Sequence, residues 1–284
     1  MPRRSALIVT LSFWLAGAAH AGPFDHEWCR FETPHFEFIT DVPARRVAQL
    51  AERMLVFRQA VQPFIHGDRE APEQRIKVVA FRDAADFRSV LNTPHFTGFM
   101  RPSLRQSMLI VSPGPDNQWL TENALHEYTH YLVRNRIDVS IPTWYDEGLA
   151  SLLSTAKVGR REVVLGSSPL PLIRTALQSD TLTLEQVLGT QVLFELGHAE
   201  LNDLYLTSWA LLHYLSFGSH QTKELEAYLR AEHESLPAAL GLSAAELDAQ
   251  LQRYTNRSRL PRIRLPKPVL PWKFGETTTY PAAA

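Results

Sequence analysis

The residues best suited to metal binding or catalysis are two histidines and a glutamate in the segment LHEYTHYL, residues 125–132. His126 and His130 stand four positions apart, so on a helix they share one face, with Cβ atoms about 5–6 Å apart. Two imidazoles at this spacing can converge on one zinc ion. Glu127, rotated by about 100° around the helix, would stand beside the ion and accept a proton from water that the metal activates. The alternative is an amphipathic helix that happens to carry two histidines.

The flanking residues divide into a polar and an apolar face when they are placed on a helix. Asn123 and Arg134 fall on the side of the two histidines and Glu127. The opposite side is apolar and consists of Leu120, Ala124, Leu125, Tyr128, Tyr131 and Leu132. This separation favours a helix over about 118–136 that rests on a core and presents its histidines to a site.

A catalytic zinc needs a third protein ligand and an open position. Glu147 stands seventeen residues after His130, inside the segment PTWYDEGLAS. Pro142 suits a first helical turn. The short connection would fold this second helix back on the first, and Gly148 would let the backbones approach closely. We expect Glu147 to complete the site, because its apolar neighbours disfavour the alternative of a solvated surface acid.

The motif HEYTH followed by WYDEGLA resembles the gluzincin zinc metallopeptidases, the group of thermolysin and aminopeptidase N. The W-x-x-E-G-x-A segment of aminopeptidase-like members matches Trp144 to Ala150, and the strong resemblance covers residues 118–156. It implies a zincin-like fold with one Zn²⁺ per chain. It also implies that His126, His130 and Glu147 bind the metal and that Glu127 is the general base.

A weaker likeness lies in DLYLTSWALLHYLSFG, residues 203–218. In aminopeptidase-like gluzincins a helix of this pattern begins with a tyrosine that stabilises the oxyanion. The resemblance implies this role for Tyr205, with a tyrosine of the core as the alternative. His213, on the same helix, is interpreted as structural or surface.

Three further features concern the surroundings of the site. Ser151, one helical turn after Glu147, is a candidate partner that orients a histidine, and so is Asp146, although a solvated surface acid is the preferred interpretation of Asp146. In gluzincins an edge strand before the zinc helix binds the substrate backbone. Residues 96–101 or 106–111 are the candidates for that strand.

The order of the predicted elements indicates an α+β fold, with strands in the first half and helices in the second. Strands are expected at 35–40, 75–81, 98–103, 106–112 and 161–166, and a helix at 43–65 is followed by a short one near Asp83. From residue 118 onward helices are expected at about 118–136, 143–156, 169–178, 183–189, 202–217, 221–231 and 243–255.

The two ends of the chain differ from the middle. Residues 1–21 have the charged start, apolar run and Ala-x-Ala site of a signal peptide, which predicts a periplasmic or secreted protein. Residues 22–260 are expected to form the zincin-like domain. Residues 261–284 are rich in proline and are expected to be extended. After removal of the leader no apolar run approaches membrane length.

The formal net charge of −1 gives no reason to expect a nucleic-acid partner. The predicted function is therefore zinc-dependent hydrolysis of peptide bonds in a peptide or protein substrate. Two alternatives remain: a non-catalytic zinc-binding scaffold, and a zinc amidase that acts on a non-protein amide such as a cell-wall component. The sequence leaves substrate specificity and oligomeric state open.

Overall fold

The structure, a computed structural model, describes residues 22, 25–65, 74–91, 98–103, 105–112, 117–135, 141–167, 169–230, 234–270 and 278–280. In these ranges the chain forms an α+β fold, as its sequence predicts. The predicted leader lies outside the described residues. Within them, no helix combines the length and the apolar character that crossing a membrane requires.

The described part of the chain forms two sheets and a largely helical second half. The strands are β1 (Trp28–Glu32), β2 (Phe36–Thr40), β3 (Ile76–Ala80), β4 (Gly98–Arg101), β5 (Met108–Val111), β6 (Lys157–Val158), β7 (Glu162–Leu165), β8 (Ile263–Pro266) and β9 (Thr278–Tyr280). The helices are α1 (Ala44–Val61), α2 (Ala84–Leu91), α3 (Asn117–Arg134), α4 (Thr143–Ser154), α5 (Leu170–Leu177), α6 (Leu184–Gly189), α7 (His198–His213), α8 (Thr222–Leu229), α9 (Leu236–Ala239) and α10 (Ala244–Thr255).

The larger sheet has six strands in the order β4-β5-β3-β2-β1-β9. Strands β2, β3 and β5 run parallel, while β4 pairs antiparallel with β5 and lies at the edge. The smaller sheet is β6-β7-β8. Two segments of the proline-rich tail form strands. Strand β8 pairs with β7, and β9 pairs with β1.

Helix α3 packs on the larger sheet through the apolar face that its sequence predicts. Ala124, Leu125, Tyr128, Tyr131 and Leu132 are all buried. The ring of Tyr128 meets that of Phe36 edge-on at 5.1 Å, and its hydroxyl accepts a 2.8 Å hydrogen bond from Arg58 of α1. Burial of this face fixes the rotation of α3, so the opposite face, with the histidines, points away from the sheet.

Helix α4 is buried between α3 and α7, and Gly148 permits its close approach to α7. A Cβ atom on Gly148 would lie 2.7 Å from the carbonyl oxygen of Ser208, which is closer than real Cβ contacts. The predicted role of Gly148 in close backbone packing is therefore confirmed, but the neighbouring backbone is that of α7 rather than α3. The contact places Glu147 of α4 beside the helix that carries Tyr205.

We expect Gly148→Ala to lower the free energy of unfolding by about 1–3 kcal/mol, because the added methyl group must push two backbones apart. Urea unfolding measures this change. Gly189→Ala is the matched control, since a Cβ there meets nothing within 4 Å. Equal stability of the two variants would contradict a tight crossing of α4 and α7.

Several boundaries differ from the sequence predictions. Strand β1 was not predicted, since it buries only Phe31 and lacks an alternating apolar pattern. Helix α7 begins at His198, earlier than the predicted residue 202, and a π-helical turn over Tyr214–Gly218 follows it. His213 is fully buried, with Nδ1 2.8 Å from the hydroxyl of Tyr254, so it is structural rather than a surface residue. Burial lowers the pKa of His213 to about 4.

Candidate metal centre

The three predicted metal ligands meet where α3 and α4 cross. His126 and His130 lie one turn apart on α3, and Glu147 lies in the second turn of α4. His130 and Glu147 are buried, whereas the side chain of His126 is 20% exposed. Helix α4 packs back on α3, as the sequence predicts.

The three ligand atoms form a nearly equilateral triangle. Nε2 of His126 lies 3.3 Å from Nε2 of His130 and 3.2 Å from Oε2 of Glu147. The third edge, from Nε2 of His130 to Oε2 of Glu147, is 3.4 Å. For bonds of about 2.0–2.1 Å in tetrahedral geometry, two ligand atoms of one zinc ion stand about 3.3 Å apart. The residues present therefore fit a tetrahedral ion with one position left open.

Asp146 lies against one ring nitrogen of His130, and the other ring nitrogen, Nε2, faces the cluster. Nδ1 of His130 lies 2.8 Å from Oδ1 of Asp146, within hydrogen-bonding distance. A carboxylate there favours the tautomer with its proton on Nδ1, so that Nε2 of the neutral ring presents a lone pair to the cluster. Carboxylate–histidine pairs of this kind commonly orient metal ligands.

The electrostatics of the cluster favour a positive charge at its centre. Burial by itself lowers the pKa of His130, but contacts with Asp146 and Glu147 outweigh burial and raise this pKa to about 10. Burial would raise the pKa of Glu147, but the imidazoles of His126 and His130 hold it well below its usual range. A divalent ion would supply positive charge at the centre of this arrangement.

The preferred interpretation of Asp146 as a solvated surface acid is wrong. Its side chain is only 12% exposed, and its second oxygen, Oδ2, lies 3.2 Å from Nη2 of Arg134. Asp146 thus lies between the partly exposed guanidinium of Arg134 and the imidazole of His130. Its neighbour in sequence, Glu147, points at the same histidine from the other side.

We expect Asp146→Asn to weaken zinc binding by about 10–100-fold, because an amide holds the Nδ1 proton of His130 less strongly than a carboxylate does. Competition with a chelator of known affinity measures this change. Arg134→Gln is the control with a smaller expected effect, since the side chain of Arg134 is 52% exposed. Unchanged affinity in Asp146→Asn would contradict the orienting role.

A cavity of about 400 Å³ opens beside the cluster. His126 and Glu127 line it from α3, Tyr205 from α7, and Gly98 from the edge strand β4. A Cβ on Gly98 would lie 3.4 Å from Cγ of Glu127, so β4 runs directly past the predicted base. Of the two candidate substrate-binding segments, the one that contains β4 is at the sheet edge, whereas β5 is inside the sheet.

Tyr205 stands next to the cluster as a neutral phenol. Its ring meets that of His126 edge-on, with centroids 5.9 Å apart. Burial, with added repulsion from the charges of Glu147 and Glu127, raises the pKa of Tyr205 far above its usual value. The hydroxyl therefore keeps its proton at neutral pH and is available as a hydrogen-bond donor.

Two lining residues of α7 were missed by sequence reasoning. His198 and Asn202 line the cavity on the same face as Tyr205. His198, Asn202 and Tyr205 follow one another at intervals of four and three residues, which places them on one face of a helix. The sequence would have indicated this only if the start of α7 at His198 had been predicted. Ser151, the other candidate partner, also lines this cavity.

Another group with the donor types of a metal site occurs among the described residues. His26, Asp41 and Asp86 bring their ligand atoms within 4.8 Å of one another, as do His126, His130 and Glu147. The two groups share no residue. Any measurement of metal content must therefore separate them.

Comparison of the chain with protein-family models and with curated proteins gives no match.

Proposed function

We propose that the chain is a zinc-dependent peptidase of the gluzincin type with a zincin-like fold. The observation that carries the proposal is the triangle of ligand atoms from His126, His130 and Glu147, with edges of 3.2–3.4 Å. Glu127 and Tyr205 line the cavity at this triangle, so a base and a hydrogen-bond donor flank the position that a substrate would occupy. The edge strand β4 beside them is suited to pairing with an extended peptide.

In this proposal His126, His130 and Glu147 hold one zinc ion, and Asp146 orients His130. When bound, zinc supplies a Lewis acid that polarises the carbonyl group and makes water acidic enough to react at neutral pH. The buried carboxylate of Glu147 balances part of the charge of the ion. Of the three ligands, His126 lines the cavity, and in this proposal the substrate reaches the ion from there.

Glu127 moves the proton in the proposed reaction. Its carboxylate accepts a proton from the attacking water and delivers it to the nitrogen of the leaving amine. Because water is the nucleophile, no covalent bond forms between enzyme and substrate. Gly98 of β4 lies against Glu127, so a substrate backbone paired with β4 would lie on the same side of the cavity as the base.

Tyr205 assists by donating a hydrogen bond to the carbonyl oxygen as negative charge develops there. We expect Tyr205→Phe to lower kcat by about 10²–10³-fold, with KM and zinc content nearly unchanged, because the donor acts in the transition state. Steady-state kinetics and metal analysis measure these effects. Tyr214→Phe is the control, since its hydroxyl donates to Gln250 instead. Equal kcat in Tyr205→Phe and wild type would contradict the role.

The substrate class is tested by incubating the mature, zinc-loaded chain with a mixed peptide library and, separately, with a panel of non-protein amides. The proposal predicts cleaved peptide bonds in the mass spectrum, loss of cleavage with a chelator, and recovery with added zinc. Cleavage of the amide panel alone would favour the amidase alternative. Intact substrates in both arms would favour a zinc-binding scaffold.

Export to the periplasm or the exterior is part of the same proposal. It is supported by the leader pattern in residues 1–21. Amino-terminal sequencing of the protein from the cell exterior or periplasm tests it. A mature chain that still starts at residue 1 would contradict cleavage of a leader.

A further inference from the structure

A larger cleft, of about 560 Å³, adjoins the cavity at the metal cluster. Its walls come from α1, from the residues that follow β3, from the first turns of α3, and from the turn between α4 and β6. Glu122, Ser154 and Thr155 line both spaces. The cleft therefore lies directly beside the proposed substrate site.

Four cationic side chains line this cleft. Arg46 and Arg53 lie on one face of α1, Arg82 follows β3, and Lys157 lies in β6. All of them are exposed to solvent. Glu122, at the boundary with the metal-site cavity, is the single acid among the lining residues.

This concentration of charge is local. The whole chain has a formal net charge of −1, so the positive lining of the cleft does not reflect a generally basic protein. Cations that line a concave surface reinforce one another's potential and attract anions to that place. Guanidinium groups in addition match the two oxygens of a carboxylate in geometry.

We propose that this cleft binds a carboxylate of the substrate, so that the enzyme prefers peptides with an acidic group on one side of the bond it cleaves. The inference depends on the proposed function, because it takes the occupant of the metal-site cavity to be a peptide. The hydroxyl of Thr121, which accepts a 3.3 Å hydrogen bond from Arg53, can donate its own proton to such a group. The carboxylate belongs either to an aspartate or glutamate side chain or to the carboxyl terminus of the peptide.

Binding and cleavage are measured separately to test this inference. For binding, the mature zinc-loaded Glu127→Gln variant is titrated with fluorescent peptides. The peptides form two matched sets. One set compares glutamate with glutamine at a single position on either side of the cleaved bond, and the other compares a free with an amidated carboxyl terminus. The inference predicts about tenfold tighter binding of the acidic peptide at one of these positions, as one charged hydrogen-bonded contact provides. Raising the salt concentration should reduce this difference.

The cleft is tested by combining Arg46→Gln with Arg82→Gln in the Glu127→Gln background, and separately by Lys157→Gln. We expect the double substitution to abolish the preference for the acidic peptide and Lys157→Gln to reduce it. The matched control combines Arg160→Gln with Arg161→Gln, at exposed positions beside β7 that do not line the cleft, and should keep the preference. Thermal unfolding confirms that each variant is folded.

In the binding experiments, three outcomes overturn the inference: equal binding of acidic and neutral peptides, equal loss of preference in the cleft and control variants, or no binding of any peptide. Cleavage by the wild-type chain gives an independent result. Cleavage without a charge preference overturns the inference and leaves the proposed function standing. A cleft-dependent charge preference in binding without any cleavage supports carboxylate binding by the cleft and contradicts the proposed function.

Discussion

Glu127→Gln is expected to lower kcat by at least about 10³-fold while the protein keeps its zinc. The amide retains the size of the side chain but accepts no proton, so the attacking water keeps its proton and the leaving amine receives none. The metal is unaffected, because Glu127 belongs to the cavity wall and the ligand triangle is formed by His126, His130 and Glu147. Kinetics with a peptide substrate and metal analysis of the same preparation measure both quantities.

Glu185→Gln is the matched control for this substitution. It removes the same charge from an exposed position in the first turn of α6, outside the cavity, and should leave kcat unchanged. A Glu127→Gln variant that retains full activity would contradict the role of a general base. A variant that loses its zinc would place Glu127 among the metal ligands instead.

Substitution of a metal ligand is expected to remove zinc and activity together. In Glu147→Gln the isosteric amide loses the charge that balances the ion, and in His126→Ala one of three protein ligands is missing. We expect zinc content to fall from about one equivalent to near zero and cleavage to fall to background. Because bound zinc stabilises only the folded state, wild type should also unfold at a lower temperature when a chelator is added, and these variants should not respond.

The second group of possible ligands provides the control for metal content. His26→Ala changes the group of His26, Asp41 and Asp86 without touching α3 or α4. We expect this variant to keep its zinc equivalent and its peptidase activity. If zinc content instead fell in His26→Ala and stayed constant in Glu147→Gln, the metal would belong to the other group.

Much of the candidate site was predictable because its signals are local. The spacing of His126 and His130 determines their common face on any helix, and the apolar positions of α3 determine which face meets the sheet. Glu147 could be placed because the connection to α4 is short. The glycine after it indicated a close helix crossing, and Gly148 indeed lies against the backbone of Ser208.

The features that were missed depend on contacts between distant segments. Asp146 was interpreted as a surface acid because a sequence does not show that the crossing of α3 and α4 brings its carboxylate to Nδ1 of His130. Strand β1 is formed by pairing with β2 and with β9, and β9 lies at the far end of the chain. The basic cleft likewise collects Arg46, Arg82 and Lys157 from three separate parts of the chain.

The most direct test of the central claim is a crystal structure of the purified mature chain, with anomalous diffraction recorded on both sides of the zinc absorption edge. The account predicts one strong zinc peak about 2.0–2.1 Å from Nε2 of His126, Nε2 of His130 and a carboxylate oxygen of Glu147. It also predicts that the fourth position of the ion faces the cavity lined by Glu127 and Tyr205. Absence of a peak among these three side chains in crystals grown with zinc would contradict the account.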